Sequence, residues 1–137
     1  MRLFFDSSAF IKRYISDPGS AVVESLCKES KDVALAIVCP AEILSAINRI
    51  KREGRISAAE YEEIKGAFLG DIRDITLIAI DSQIVNYAVR AIETSPLKAL
   101  DSLHIACALL WKPDFFVSSD FQQIAGAKKM GLAVKHV

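Results

Sequence analysis

Four carboxylates of this chain, Asp6, Glu42, Asp101 and Asp120, are placed where they could do chemistry. Asp6 ends the apolar run of MRLFFDSSAF, and Asp120 follows the apolar run that closes in Val117-Ser118-Ser119. Glu42 stands just after Pro40, near the start of a predicted helix. Asp101 lies in LKALDSLHIACALLW, a segment apolar on most sides, where a carboxylate is unfavourable unless paired, capped or metal-bound. Each also has a plainer role. Asp6 and Asp120 can cap helices, a contribution of about 1 kcal/mol each. Glu42 can stabilise a helix N-terminus. Asp101 can hydrogen-bond His104, three positions on along the same helix face. Asp81 reads as a cap alone.

Brought together, the four acids would form an all-oxygen pocket. Hard oxygens select Mg²⁺ or Mn²⁺ over zinc or copper, and a single histidine near the acids argues against zinc. Carboxylates loaded with such ions are suited to hydrolysing phosphodiesters. The chain contains no serine–histidine nucleophile motif, Walker loop or GxGxxG, so phosphate would be held through metal and local cations.

The elements that must position these residues alternate strand and helix. Apolar runs at 3–5, 33–38, 75–80, 115–117 and 132–137 predict five strands. Helices are expected over 7–15, from Ser20, from about Ala41 to Glu53, and from Ser57, whose spacing to Glu60 is a capping box. Three more are expected: from Asp81 or Ser82, through LKALDSLHIACALLW, and from Asp120 to about Met130. Gly54 and Gly131 are the predicted stops. This alternation predicts an α/β fold, three-layer α/β/α with a mostly parallel five-stranded sheet, as one domain over 1–137. In open parallel sheets, sites form beyond the carboxyl ends of the strands, where Asp6 and Asp120 fall.

Composition narrows the function further. The chain is 52% hydrophobic, which excludes a disordered chain, and seventeen basic residues cancel seventeen acidic ones. A nucleic-acid role therefore needs a local patch. Candidates are Lys12 and Arg13; Arg49, Lys51, Arg52 and Arg55; and Lys128 with Lys129. Cys27, Cys39 and Cys107 are scattered among apolar neighbours and read as small buried hydrophobes in a reducing compartment. No signal-like or membrane-spanning run is present, so a cytoplasmic protein with no membrane partner is expected. The zero net charge, with Ile43, Leu44, Ile47, Ile64, Phe68 and Leu69 crowding the segment 41–70, predicts a homodimer.

Four ordered blocks, FFDSSAFIKRYISDPGS, CPAEILSAINR, LKALDSLHIACALL and FFVSSDFQQIAGAKKMGLAV, span nearly the whole chain. Together they resemble the PIN-domain ribonucleases, and most of all the VapC-type toxins of type II toxin–antitoxin systems. The resemblance implies that Asp6, Glu42, Asp101 and Asp120 hold Mg²⁺ or Mn²⁺ and cleave RNA. It also implies a homodimer inhibited by a small cognate antitoxin of the VapB type. Two positions depart from the pattern: Ser118 stands where a threonine is usual, and Cys39 where a polar residue is common. Neither removes a carboxylate. Alternatives are an inactive PIN-like module that binds RNA or protein, and a metal-dependent nuclease acting on DNA or structured nucleic acid. A receiver domain would need an acidic pair at the first strand, and a haloacid-dehalogenase-type phosphatase a second acid at the position of Ser8.

Overall fold

Leu3, Phe4 and Phe5 are fully buried on successive positions of one strand, so both faces of that strand must be covered. The computed structural model, which describes residues 1–137, shows how. Strand β1 (Arg2–Phe5) leads into a short helix α1 (Ser7–Phe10) and a 3-10 turn over Ile11–Arg13. Helix α2 (Ser20–Glu29), strand β2 (Asp32–Ala36), and helices α3 (Cys39–Arg52) and α4 (Ala58–Asp71) follow. Strand β3 (Thr76–Ile78) precedes α5 (Ser82–Thr94) and α6 (Ala99–Trp111). The chain closes with β4 (Phe115–Ser118), α7 (Phe121–Lys129) and β5 (Val134–His136).

All four strand pairings are parallel, in the order β3-β2-β1-β4-β5. Side chains alternate between the faces of a strand, and the core divides accordingly. Leu3, Phe5, Leu35 and Val117 pack with α1 to α4 residues such as Phe10, Ile43, Ile47 and Phe68. Phe4, Ala34, Ala36 and Phe116 face Ile84, Ala88 and Ile105 from α5 and α6. The expected three-layer sandwich is therefore present, and its sheet is wholly parallel.

Several expected boundaries were local signals and hold. Ser57 and Glu60 form a reciprocal capping box, and Gly54 and Gly131 take positive φ just past their helices. Asp81 caps α5 by accepting from Ile84 N–H at 2.9 Å. Other elements are shorter than their apolar runs. The second strand stops at Ala36, because Ile37 turns outward and Val38 already precedes α3. The helix expected over 7–15 breaks into one α-turn and the 3-10 turn. No helix is long and apolar enough to cross a membrane.

One topological feature positions the site. From β1 the chain moves outward on one side to β2 and β3, and on the other side lie β4 and β5. The reversal leaves a crevice beyond the carboxyl ends of β1 and β4, the usual ligand position in such sheets.

Candidate active site

Asp6 sits at that crevice, where its backbone N–H still pairs with the Val117 carbonyl at 3.1 Å. Its buried side chain caps α1, with Oδ1 accepting from Ala9 N–H at 3.0 Å. Oδ1 also accepts from the Ser8 hydroxyl at 2.7 Å, and Oδ2 from the Ser118 hydroxyl at 2.6 Å. Burial pushes the Asp6 carboxyl above the ordinary aspartate range, against the charge of His104 and these hydrogen bonds.

Asp120 caps α7, accepting from the backbone N–H groups of Gln122 at 2.8 Å and Gln123 at 3.3 Å. Its own N–H donates to Ser118 Oγ at 3.0 Å. The Ser118 hydroxyl thus bridges the loops that carry Asp6 and Asp120. Ser119 adds a second tie, donating from its backbone to Ser8 Oγ at 3.1 Å and from its hydroxyl to the Ser8 carbonyl at 3.0 Å.

Glu42 lies in the first turn of α3. Its Oε1 accepts from Ser7 Oγ at 3.0 Å and meets His104 Nε2 at 2.5 Å. Burial pushes the Glu42 carboxyl up, but the His104 hydrogen bond and charge, with the Ser7 hydroxyl, outweigh it and hold it below the ordinary value. The alternative role for Asp101, a hydrogen bond to His104, is not taken up. His104, on the buried side of α6, points its Nε2 across to α3 instead, and its Nδ1 is buried without a partner.

Asp101 occupies the first turn of α6 and is half-buried. Its carboxyl is pushed up by burial, then by the negative charge of Asp120 and, more weakly, of Glu42; His104 and the Lys98 backbone N–H act the other way. That coupling places the Asp101 carboxylate within electrostatic reach of two of the other acids. No lysine or arginine forms an ion pair with any of the four. The donor set is all oxygen, which suits a hard divalent cation in its chemistry. The side chains are not drawn to one point, however, and no three acidic, imidazole or thiol groups stand together at coordinating distance.

A cavity of about 300 Å³ opens between α1 and α3, with Ser7, Ser8, Glu42 and Arg49 on its wall. A second depression of about 320 Å³ lies at the amino ends of β2 and β3, around Lys28, Asp32 and Thr76, away from the carboxylates.

No protein-family model matches the chain, and no curated protein matches it. Solved structures do. VapC20 of Mycobacterium tuberculosis, described as a sarcin–ricin loop cleaving toxin, is 12% identical, with 96% of each chain covered and a TM-score of 0.71. FitAcB of Neisseria gonorrhoeae is 15% identical, with 96% of this chain and 95% of that chain covered and a TM-score of 0.72. VapBC2 of Rickettsia felis, bound to a DNA fragment from its promoter, is 12% identical, with 100% and 99% covered and a TM-score of 0.70. The chain has a PIN-like fold.

Within this PIN-like frame, several neighbours of the acids were not anticipated as site residues. Ser7, Ser8 and Ser118 hold the carboxylates, and the paired serines in FFDSS and VSSD were the visible signal. Of the basic candidates, several are engaged elsewhere. Lys12 Nζ donates to the carbonyls of Pro18 and Val137 at 2.6 and 3.2 Å. Arg13 pairs with Glu24 and Asp71, Arg55 with Glu53, and Lys51 lies over the Tyr61 ring. Arg49 beside the cavity, with Arg52, Lys128 and Lys129, forms no ion pair. The cysteines are free, and burial raises their thiols, Cys27 to about 11 and Cys39 and Cys107 to about 12, as expected of inert core residues.

Proposed function

We propose that the chain is a Mg²⁺- or Mn²⁺-dependent endoribonuclease, the toxin of a type II toxin–antitoxin pair, with Asp6, Glu42, Asp101 and Asp120 as its acidic set. One observation carries this reading. Asp101 feels the negative charges of Asp120 and Glu42, Ser118 ties Asp6 to the Asp120 loop, and no lysine or arginine forms an ion pair with any of the four. Such a group repels itself until a cation enters.

A bound divalent ion would activate water and neutralise the scissile phosphate. The protein's own residues do the rest. Ser8, Ser118 and the Ala9 N–H fix both oxygens of Asp6. Ser7 and His104 fix Oε1 of Glu42 and leave Oε2 without a hydrogen bond. Asp101 is held by the Lys98 backbone N–H alone, with no side-chain hydroxyl on it. Arg49, on the cavity wall, is placed to meet the RNA backbone.

The solved structures of this fold include a toxin–antitoxin complex from Klebsiella pneumoniae, which supports a small VapB-like antitoxin as the partner of this chain. Carboxylates that no lysine or arginine of the chain pairs with favour a partner segment that presents one to them.

The test is incubation of the protein with RNA and with single-stranded DNA in Mg²⁺, Mn²⁺ or chelator, beside calorimetric titration of Mn²⁺ into metal-free protein. Cleavage of RNA that chelator abolishes and Mn²⁺ restores is expected, with Mn²⁺ binding lost in Asp101→Asn. Cleavage undiminished in excess chelator rejects the metal mechanism, and preference for DNA rejects the substrate.

A further inference from the structure

We propose that Phe121, stacked on His136, is a platform for one unpaired base of a single-stranded nucleic acid entering the acidic site; this rests on the nuclease reading above. Phe121 is 74% exposed, whereas the next most exposed large hydrophobic, Val22, stands at 51%. A ring left in water to that extent forgoes hydrophobic burial and calls for a reason.

The geometry supplies one. The rings of Phe121 and His136 lie parallel, 4.2 Å between centroids and 11° between planes. The other parallel aromatic pair, Phe4 with Phe116, is sealed in the core. Here one ring covers one face of Phe121 and leaves the other face open to solvent. That open face is flat, apolar and uncharged.

Its position is fixed relative to the acids. Phe121 follows Asp120 directly, and His136 pairs in register with Ser118. His136 Nε2–H donates to the Ser119 carbonyl at 3.2 Å. Ser119 N–H donates to Ser8 Oγ at 3.1 Å, and Ser8 in turn donates to Asp6 at 2.7 Å. A continuous hydrogen-bonded path therefore ties the platform to the deepest carboxylate, so a base on Phe121 would hold its own phosphate near the crevice.

The charge of the surroundings selects the occupant. Phosphate needs a cation to approach these carboxylates, whereas a neutral planar base does not. Aromatic stacking accepts any base and contributes a substantial, sequence-tolerant part of single-strand binding. A base must be splayed from its helix to reach the ring, so the favoured substrate is a loop or other unpaired segment.

The experiment measures binding of a single-stranded oligoribonucleotide carrying 2-aminopurine to the full-length protein in Ca²⁺, with the strand shown intact on a gel. Phe121→Ala is expected to weaken binding about 5- to 100-fold, the range for one stacked base. Phe121→Trp should restore it, with new indole fluorescence quenched by this RNA and not by an abasic strand of equal length. Phe121→Leu keeps apolar area without a π-face and should bind as weakly as the alanine variant. Equal binding by parent and Phe121→Ala overturns the platform. So does full binding by Phe121→Leu, which would mark an ordinary apolar docking point for a protein. Divalent-dependent hydrolysis of bis(p-nitrophenyl) phosphate by the parent protein tests the nuclease reading separately. Its absence condemns that reading while the oligonucleotide result still decides the platform.

Discussion

His104 Nε2 and Glu42 Oε1 meet at 2.5 Å across 62 residues of chain, joining α6 to α3 over the end of the sheet. The imidazole is almost fully buried, and the carboxylate side chain is 28% exposed. Removing the ring would leave a partly buried carboxylate short of a donor. His104→Ala is expected to lower stability by roughly 1–3 kcal/mol. His104→Gln, which keeps a donor, should recover part of that. Chemical denaturation of both variants checks this; equal stability of parent and His104→Ala would show that water replaces the ring without loss.

Asp6 and Asp101 should respond oppositely to substitution. Asp6 accepts from Ala9 N–H, Ser8 and Ser118, and all three donors lose their acceptor in Asp6→Ala. That variant should cost about 2–4 kcal/mol, combining a lost cap with unpaired buried hydroxyls. Asp101 has only the Lys98 backbone N–H as donor and suffers repulsion from Asp120 and Glu42. Asp101→Asn should leave metal-free stability unchanged or slightly higher while RNA cleavage falls by orders of magnitude. A large drop in melting temperature for Asp101→Asn in chelator would assign the residue to structure instead.

The raised carboxyls also set a pH dependence. Asp6 and Asp101 bind their protons more tightly folded than unfolded, so their stabilising effect is complete below the ordinary value of 3.8 and fades as pH rises through their raised values. Glu42 runs the other way: its contribution is present above 4.5 and is lost as pH falls through its lowered value. In chelator, the melting temperature of the parent should decline relative to that of Asp101→Asn as pH is raised from the acid side. Mn²⁺ should raise the parent's melting temperature more at neutral than at acid pH, because it binds the ionised forms. A metal-induced shift that is the same at both pH values would contradict the assignment.

What could be read from the sequence was what local chemistry decides. The Ser57–Glu60 box, the Asp81 cap and the stops at Gly54 and Gly131 each depend on a few neighbouring residues, and all are present. The parallel sheet followed from strand–helix alternation. Partners set by packing across the sheet were not legible. Asp101 and His104 share a helix face, so their pairing was the alternative that spacing offered; only the approach of α3 to α6 gives His104 to Glu42 instead. Ser118 read only as a serine where a threonine is usual, yet it bridges the loops of Asp6 and Asp120 because β4 lies beside β1.

The surface for self-association shows the same limit and leads to a last prediction. The expected homodimer rested on apolar residues of 41–70, but Ile43, Ile47 and Phe68 are fully buried within the chain, and Leu44 and Ile64 pack against the same core. Of that group only Leu69, at 39%, is exposed. A sequence pattern cannot say whether an apolar face is covered by its own chain or by another. The uncovered face lies on α5, where Val85, Val89 and Ile92 are exposed by 47%, 46% and 43%. Their spacing puts them on one stripe of the helix. If the chain is a two-fold dimer, α5 should meet its symmetry mate there, with neighbouring elements filling out the roughly 800 Å² per subunit that a stable interface needs. Light scattering of the parent should then give about twice 15.0 kDa. Val89→Glu, a change at an exposed position that the fold tolerates, should return the mass to that of a monomer, while Leu69→Glu should leave the dimer intact. Dissociation by Leu69→Glu alone would move the interface to α4, and a parent that is monomeric at micromolar concentration would remove the dimer altogether.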